Sequence, residues 1–107
     1  MSGTQEDAHL TIERDDAGVL CVTGDIDMAA GPVLDASIRS FEGKGPLVLD
    51  LAGVTFIDSS GLRTMLGAAR RAEARGERVR LTSVGREVAR LLEITCTTEL
   101  FEISSAT

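Results

Sequence analysis

The chain contains no tryptophan and no tyrosine, only three phenylalanines, one histidine and one lysine. Each shortage removes a class of function. With so few rings the core has to be aliphatic, and the stacking platforms used by single-stranded nucleic-acid binders are missing. The lone His9 reads as a strand-surface residue rather than a catalytic base. Lys44, in a loop between a helix and a strand, belongs to no Gly-x-x-x-x-Gly-Lys-Ser/Thr phosphate loop. Nor is it the late, post-strand lysine that a phospho-aspartate receiver requires. The two cysteines, Cys21 and Cys96, lie far apart without a Cys-x-x-Cys motif. They read as buried thiols of a reducing compartment rather than as a disulfide. No apolar run approaches the ~18 residues of a membrane span. The polar, acid-bearing opening MSGTQEDA is not a signal peptide. The expected setting is cytoplasmic.

What is present is ordinary for a soluble domain. The 107 residues are 43% apolar and 26% charged, enough for one domain with a single modest core. A net charge of −6 opposes nucleic acid and anionic membrane surfaces. Of the ten arginines, seven fall between Arg63 and Arg86. They could form a local basic face, but solvated helix faces and strand ends are the simpler reading.

The pattern along the chain alternates between periods of two and 3.6. HLTIER alternates Leu10 and Ile12 with polar neighbours, as an edge-type strand does. Asp15-Asp16-Ala17-Gly18 supplies turn chemistry before VLCVTG, so a hairpin is expected. GDIDMAAGP changes texture to acids, small residues and a proline, a loop leading into a helix. Leu34, Ile38 and Phe41 then form an amphipathic stripe ended by Gly43 and Gly45-Pro46. LVLDL (47–51) looks like a central strand covered on both faces. Leu62, Met65, Leu66, Ala69 and Ala72 make the cleanest helical stripe, stopped by Gly76. Val79 and Leu81 mark another strand, Val88, Leu91 and Leu92 a third helix, and LFEI (100–103) a closing strand. The order ββαβαβα(β) implies an α/β domain with helices packed on a mostly parallel sheet that begins in an antiparallel hairpin.

One junction stands out. Ser59-Ser60-Gly61 sits between a strand-like and a helix-like run with Asp58 beside it. A helix start offers unpaired N–H groups and a positive dipole end, so the simplest reading makes Asp58 or Ser59 an N-cap and nothing more, and Gly61 would admit a close approach. A cap needs one oxygen-bearing side chain, however, and here there are three. A hydroxyl at a helix start is also a good phosphate acceptor, because the terminus tolerates the roughly −1.5 to −2 charges of a phosphate. A nucleophile elbow is ruled out, since Ile57 and Asp58 precede the serines where Gly-x-Ser-x-Gly is needed. Asp25 and Asp27 form only a weak metal signal, with no His or Cys nearby.

The junction DSSGL, preceded by LVLDLAGVTFI and followed by an apolar helix, resembles the STAS-domain anti-sigma factor antagonists. GDIDMAAGPVLDASI is similar to the family's Gly-Glu-Leu/Ile-Asp loop and first helix, and VGREVARLLEITCTTELFEI to its third helix and closing strand. The resemblance implies one STAS domain over residues 1–107 with 1–8 flexible. Its sheet would be mostly parallel and four- to five-stranded, with an N-terminal antiparallel strand and three or more helices. It also implies partner switching in transcription regulation. The unphosphorylated antagonist binds an anti-sigma factor serine kinase, which frees the sigma factor. ATP-dependent phosphorylation ends the binding until a phosphoserine phosphatase restores it.

Carried onto this chain, the resemblance makes Ser60 the phosphoacceptor, with Ser59 as the alternative, and Asp58 the residue that orients it. Asp25, Asp27, Asp58, Ser59, Gly61, Leu62 and Arg63 would form the partner-binding surface. Asp25 stands where the family has Glu, and Cys96 where relatives often have Gly. No catalytic residue, metal, cofactor, nucleic acid or membrane contact is implied, and a monomer that cycles between partners is expected. The main rival is a non-switching STAS module on a signalling scaffold or a transporter ATPase, with both serines as caps. A nucleotide-binding domain is a third reading, without a phosphate loop to support it.

Overall fold

Asp15 closes the hairpin expected around it with its own side chain: its Oδ1 accepts from the backbone N–H groups of Ala17 and Val19, each at 2.9 Å. This Asx-type turn joins β2 (Leu10–Arg14) to β3 (Leu20–Ile26), which pair antiparallel as the turn signal anticipates. The computed structural model describes residues 4–7, 10–42 and 44–104; His9 and Gly43 lie outside them. The remaining elements are β1 (Thr4–Asp7), α1 (Gly31–Arg39), β4 (Val48–Ile57), α2 (Ser59–Ala74), β5 (Arg80–Thr82), α3 (Arg86–Ile94) and β6 (Glu102–Ser104). A 3-10 turn at Thr98–Leu100 precedes β6, so the closing strand begins two residues later than the apolar pattern suggests.

The six strands lie in chain order, β1-β2-β3-β4-β5-β6, antiparallel through β3 and parallel from β3 onwards. The antiparallel start, parallel body and three helices match the architecture expected. The sixth strand comes from residues 4–7, which the sequence reading left in a flexible 1–8 segment. TQED has no apolar residue to betray a strand; it pairs at a sheet edge through its backbone.

Chain order has a consequence for the layers. The crossovers through α1, α2 and α3 all step in one direction, and right-handed connections then place every helix on the same face. Burial agrees. Leu10, Ile12, Leu20, Val22, Leu49, Leu51 and Leu81 are buried beneath the helices, while Glu13, Thr23 and Ala52 are exposed and Cys21, Val48 and Asp50 half-buried. The expectation that 47–51 is covered on both faces is therefore corrected: its apolar look comes from Val48, which the other face leaves half-buried.

The helical stripes close the core. Leu34 and Ile38 of α1 and Leu62, Met65, Ala69 and Ala72 of α2 are buried, with Val88 and Leu92 of α3. Leu66 and Phe41 pack against this core half-buried, and Phe41 lies beyond the end of α1. Four of the seven arginines in the arginine-rich stretch are engaged locally, and Arg63, Arg70 and Arg86 stay exposed without an ion pair among the described residues. Arg71 Nε sits 2.6 Å from Glu42 Oε1, Arg75 bonds Glu77, and Arg80 pairs with Glu102 on the neighbouring strand. Arg78 donates to the backbone carbonyls of Glu99 and Phe101. The cysteine reading needs correction too. Both thiols are free, but Cys96 is exposed and Cys21 only half-buried. Cys21 is pushed above its usual pKa by burial and then by the carboxylates of Asp50, Asp15 and Glu13.

Candidate functional site

The parallel strands β3 and β4 end side by side at Ile26 and Ile57, and each feeds a helix at the same edge of the sheet. Both turns are closed by an aspartate. Asp58, extended at φ −114°, is the N-cap of α2: its Oδ1 accepts from Gly61 N at 2.9 Å while its carbonyl accepts from Leu62 N. Asp27 does the same before α1, its Oδ1 accepting from Ala30 N at 3.0 Å and its carbonyl from Gly31 N. Two of the acids expected on a docking surface therefore also shape the loops that carry it. Each commits one carboxylate oxygen to a backbone N–H.

The cap question at the junction is thereby answered. Asp58 does the capping, and neither Ser59 nor Ser60 gives its hydroxyl to any hydrogen bond among the described residues. Ser59 is exposed and Ser60 half-buried, in the first turn of α2. Asp25 is tied elsewhere: Thr55 Oγ1 donates to its Oδ1 at 2.8 Å, bridging β3 and β4 next to a register shift at Gly24/Asp25. No group of three or more His, Cys, Asp or Glu side chains able to hold a metal occurs among the described residues.

Two expected contact residues are not on the surface. Leu62 is buried in the core, and Gly61 is buried against the end of β3. A Cβ on Gly61 would overlap the carbonyl oxygen of Ile26 and lie 2.6 Å from its Cγ2. The close approach that Gly61 permits is thus made by this chain's own backbone, and its lack of a side chain sets how α2 sits on the sheet. Arg63 is exposed one turn into α2.

An open groove of about 490 Å³ runs between the starts of α1 and α2, with Met28, Pro32, Asp35, Ser60, Arg63 and Thr64 in its lining. Asp35 is already engaged, 2.8 Å from Arg39 and 3.4 Å from Arg71. Met28 is 74% exposed, and Phe56, the register partner of Asp25, is 44% exposed. Neither apolar residue was singled out from sequence. A methionine within the otherwise small and polar GDIDMAAG loop was the available signal for the first. Phe56 lies beyond the 47–51 stretch read as a covered central strand, in the short strand-like run before the junction. Caps, hydroxyls, a cation and exposed apolar side chains together make a surface suited to docking and to modification.

The match to known proteins covers most of this architecture, from β2 onwards. A family model described as the STAS domain matches residues 10–107. A curated relative, the anti-sigma-B factor antagonist of Listeria monocytogenes, is 30% identical over 96 residues, spanning 87% of this chain and 84% of the relative. Among solved structures, the anti-sigma factor antagonist SpoIIAA in its unphosphorylated form superposes with a TM-score of 0.66 at 20% identity, over 92% of this chain and 89% of that one. The Bacillus cell fate determinant SpoIIAA in its phosphorylated form gives 0.67 at 20% identity, over 92% and 91%. The two SpoIIAA likenesses establish the fold.

Proposed function

Because this chain belongs to the STAS domain family, we propose that it is an anti-sigma factor antagonist that switches partners through phosphorylation of Ser60. One observation carries the reading: Asp58 caps α2 alone, so the two hydroxyls beside it have no structural duty within the chain. Ser60 is favoured over Ser59 because its side chain lines the groove between the helices. The 30% identity to an anti-sigma-B factor antagonist supports the assignment, as does a fold shared with a protein known in unphosphorylated and phosphorylated forms.

In this reading the unmodified face docks on an anti-sigma factor serine kinase, and the sigma factor is released. The domain acts by binding in the cytoplasm, as a monomer, and a phosphatase resets it. Asp25, Asp27 and Asp58 keep the face acidic and suit a basic patch on the kinase. Met28 and Phe56 supply apolar contact area beside them. A phosphate on Ser60 adds roughly −1.5 to −2 charges to an already acidic surface that becomes desolvated on docking. Like charges brought together across an interface cost several kcal/mol, and each ~1.4 kcal/mol is tenfold in affinity.

The test uses a purified cognate anti-sigma kinase with ATP. Phosphate should appear on Ser60 by mass spectrometry, and the modified chain should lose binding that the unmodified chain shows. Phosphate on neither serine would overturn the switch. Unimpaired kinase binding after modification would favour the non-switching module instead.

A further inference from the structure

We propose that Arg63 is the counter-ion of phosphorylated Ser60, so that modification withdraws from the partner a cation which the unmodified chain presents to it. The inference rests on the phosphorylation reading above and assigns the charge that regulates the same site.

Arg63 is the one cation lining the groove into which Ser60 faces. The two residues lie three apart on α2, a spacing that puts side chains on one helix face within reach of each other. Arg63 is exposed and makes no ion pair among the described residues. That sets it apart from Arg71 and Arg75 further along, which are held by Asp35, Glu42 and Glu77. The groove's own carboxylate does not neutralise it, because Asp35 is turned to Arg39 and Arg71.

A phosphate on Ser60 therefore enters a setting of defined charge. Asp58 stands two residues before it, Asp35 lines the same groove from α1, and Asp27 closes the loop leading to that helix. Against these three carboxylates Arg63 is the unpaired cation, and guanidinium groups bind phosphate oxygens in a bidentate fork. The helix end offers less than usual, since the Gly61 N–H already serves Asp58. Before modification the same guanidinium points to solvent and is available to a carboxylate of the partner. Phosphorylation thus changes the docking face twice, by adding a dianion and by folding back its cation.

The experiment installs phosphoserine at position 60 of the full chain by genetic encoding and follows its second ionisation by ³¹P NMR at low ionic strength. Pairing favours the dianion, so Arg63 depresses that pKa. Arg63→Gln should raise it by about 0.3 pH units or more. Arg63→Lys, which keeps the charge, should restore most of the depression. Arg70→Gln, an exposed cation of α2 outside the groove, should leave it unchanged. An Arg63→Gln titration that overlays the parent overturns the proposal, as does an equal shift from Arg70→Gln. Failure of the switch itself reads out separately, as absence of phosphate on Ser60 after incubation with kinase and ATP.

Discussion

Gly61 lies so close to Ile26 that the first turn of α2 rests directly on the last residue of β3, with Asp58 N donating to the same Ile26 carbonyl at 3.3 Å. The contact fixes the height and tilt at which the serine pair is presented. Gly61→Ala has to push the helix off the strand, because the clash is with backbone rather than with a yielding side chain. A loss of about 2–3 kcal/mol in urea unfolding is expected, at the upper end of overpacking costs. Partner binding should fall as well, since Ser60 and Arg63 move with the helix.

Asp58 combines two roles that one pair of substitutions separates. Asparagine keeps an oxygen that can accept from Gly61 N, whereas alanine does not. Asp58→Ala should therefore cost about 1 kcal/mol and Asp58→Asn only a few tenths by denaturant unfolding. If the carboxylate also serves docking, Asp58→Asn will weaken kinase affinity at nearly unchanged stability. Equal affinities would leave Asp58 as a cap alone.

What the sequence made legible follows from which interactions are local. The Asp15 turn, the α2 stripe and the Asp58 junction are each settled within a few residues, and each was readable. β1 was not, because an edge strand held by backbone pairing needs no apolar pattern. The single covered face was missed for a related reason. Whether Val48 and Asp50 face a helix layer or solvent depends on the direction of three crossovers, which no window of residues contains. At the site, residue types were legible but exposure was not. Leu62 and Gly61 looked like contact residues from their place in DSSGL, yet packing turns both inward.

Cys96 occupies a position that would suit glycine. It follows α3 at φ +57°, its N–H donating to Glu93 O and that of Thr97 to Leu92 O. The same pair of bonds ends α2, where Gly76 donates to Glu73 O and Glu77 to Ala72 O. Both are Schellman ends, and a side chain in the left-handed region costs about 1–2 kcal/mol. Cys96→Gly should raise stability by up to about 1 kcal/mol, the remainder being lost to the greater freedom of glycine when unfolded. The reverse exchange, Gly76→Ala, should lower stability by a similar amount.

The two thiols should also differ in the native state. Cys21 is half-buried and surrounded by carboxylates that disfavour its thiolate, whereas Cys96 is exposed. Iodoacetamide at neutral pH should modify Cys96 well before Cys21. A raised folded-state pKa means that Cys21 supports the fold while its thiol is neutral and loses that support as the pH climbs through the thiol range. Cys21→Ser should accordingly flatten the alkaline decline in stability, measured as unfolding midpoints across that range.

Met28 gives the sharpest separation of docking from folding. Its side chain is 74% exposed beside the groove, so truncation removes almost no buried area. Met28→Ala should leave the unfolding free energy within about 0.5 kcal/mol of the parent. On a docked face the same side chain is covered, and an apolar anchor near the centre of an interface is worth about 1–2 kcal/mol or more on truncation. Affinity for the anti-sigma kinase should therefore drop about tenfold, chiefly through faster dissociation, as surface plasmon resonance would read. Ser60→Asp should weaken the same complex about a hundredfold by charge rather than by lost area, and high salt should relieve part of its effect and none of that of Met28→Ala. If Met28→Ala binds as tightly as the parent, the kinase docks on a different face from the groove that holds Ser60.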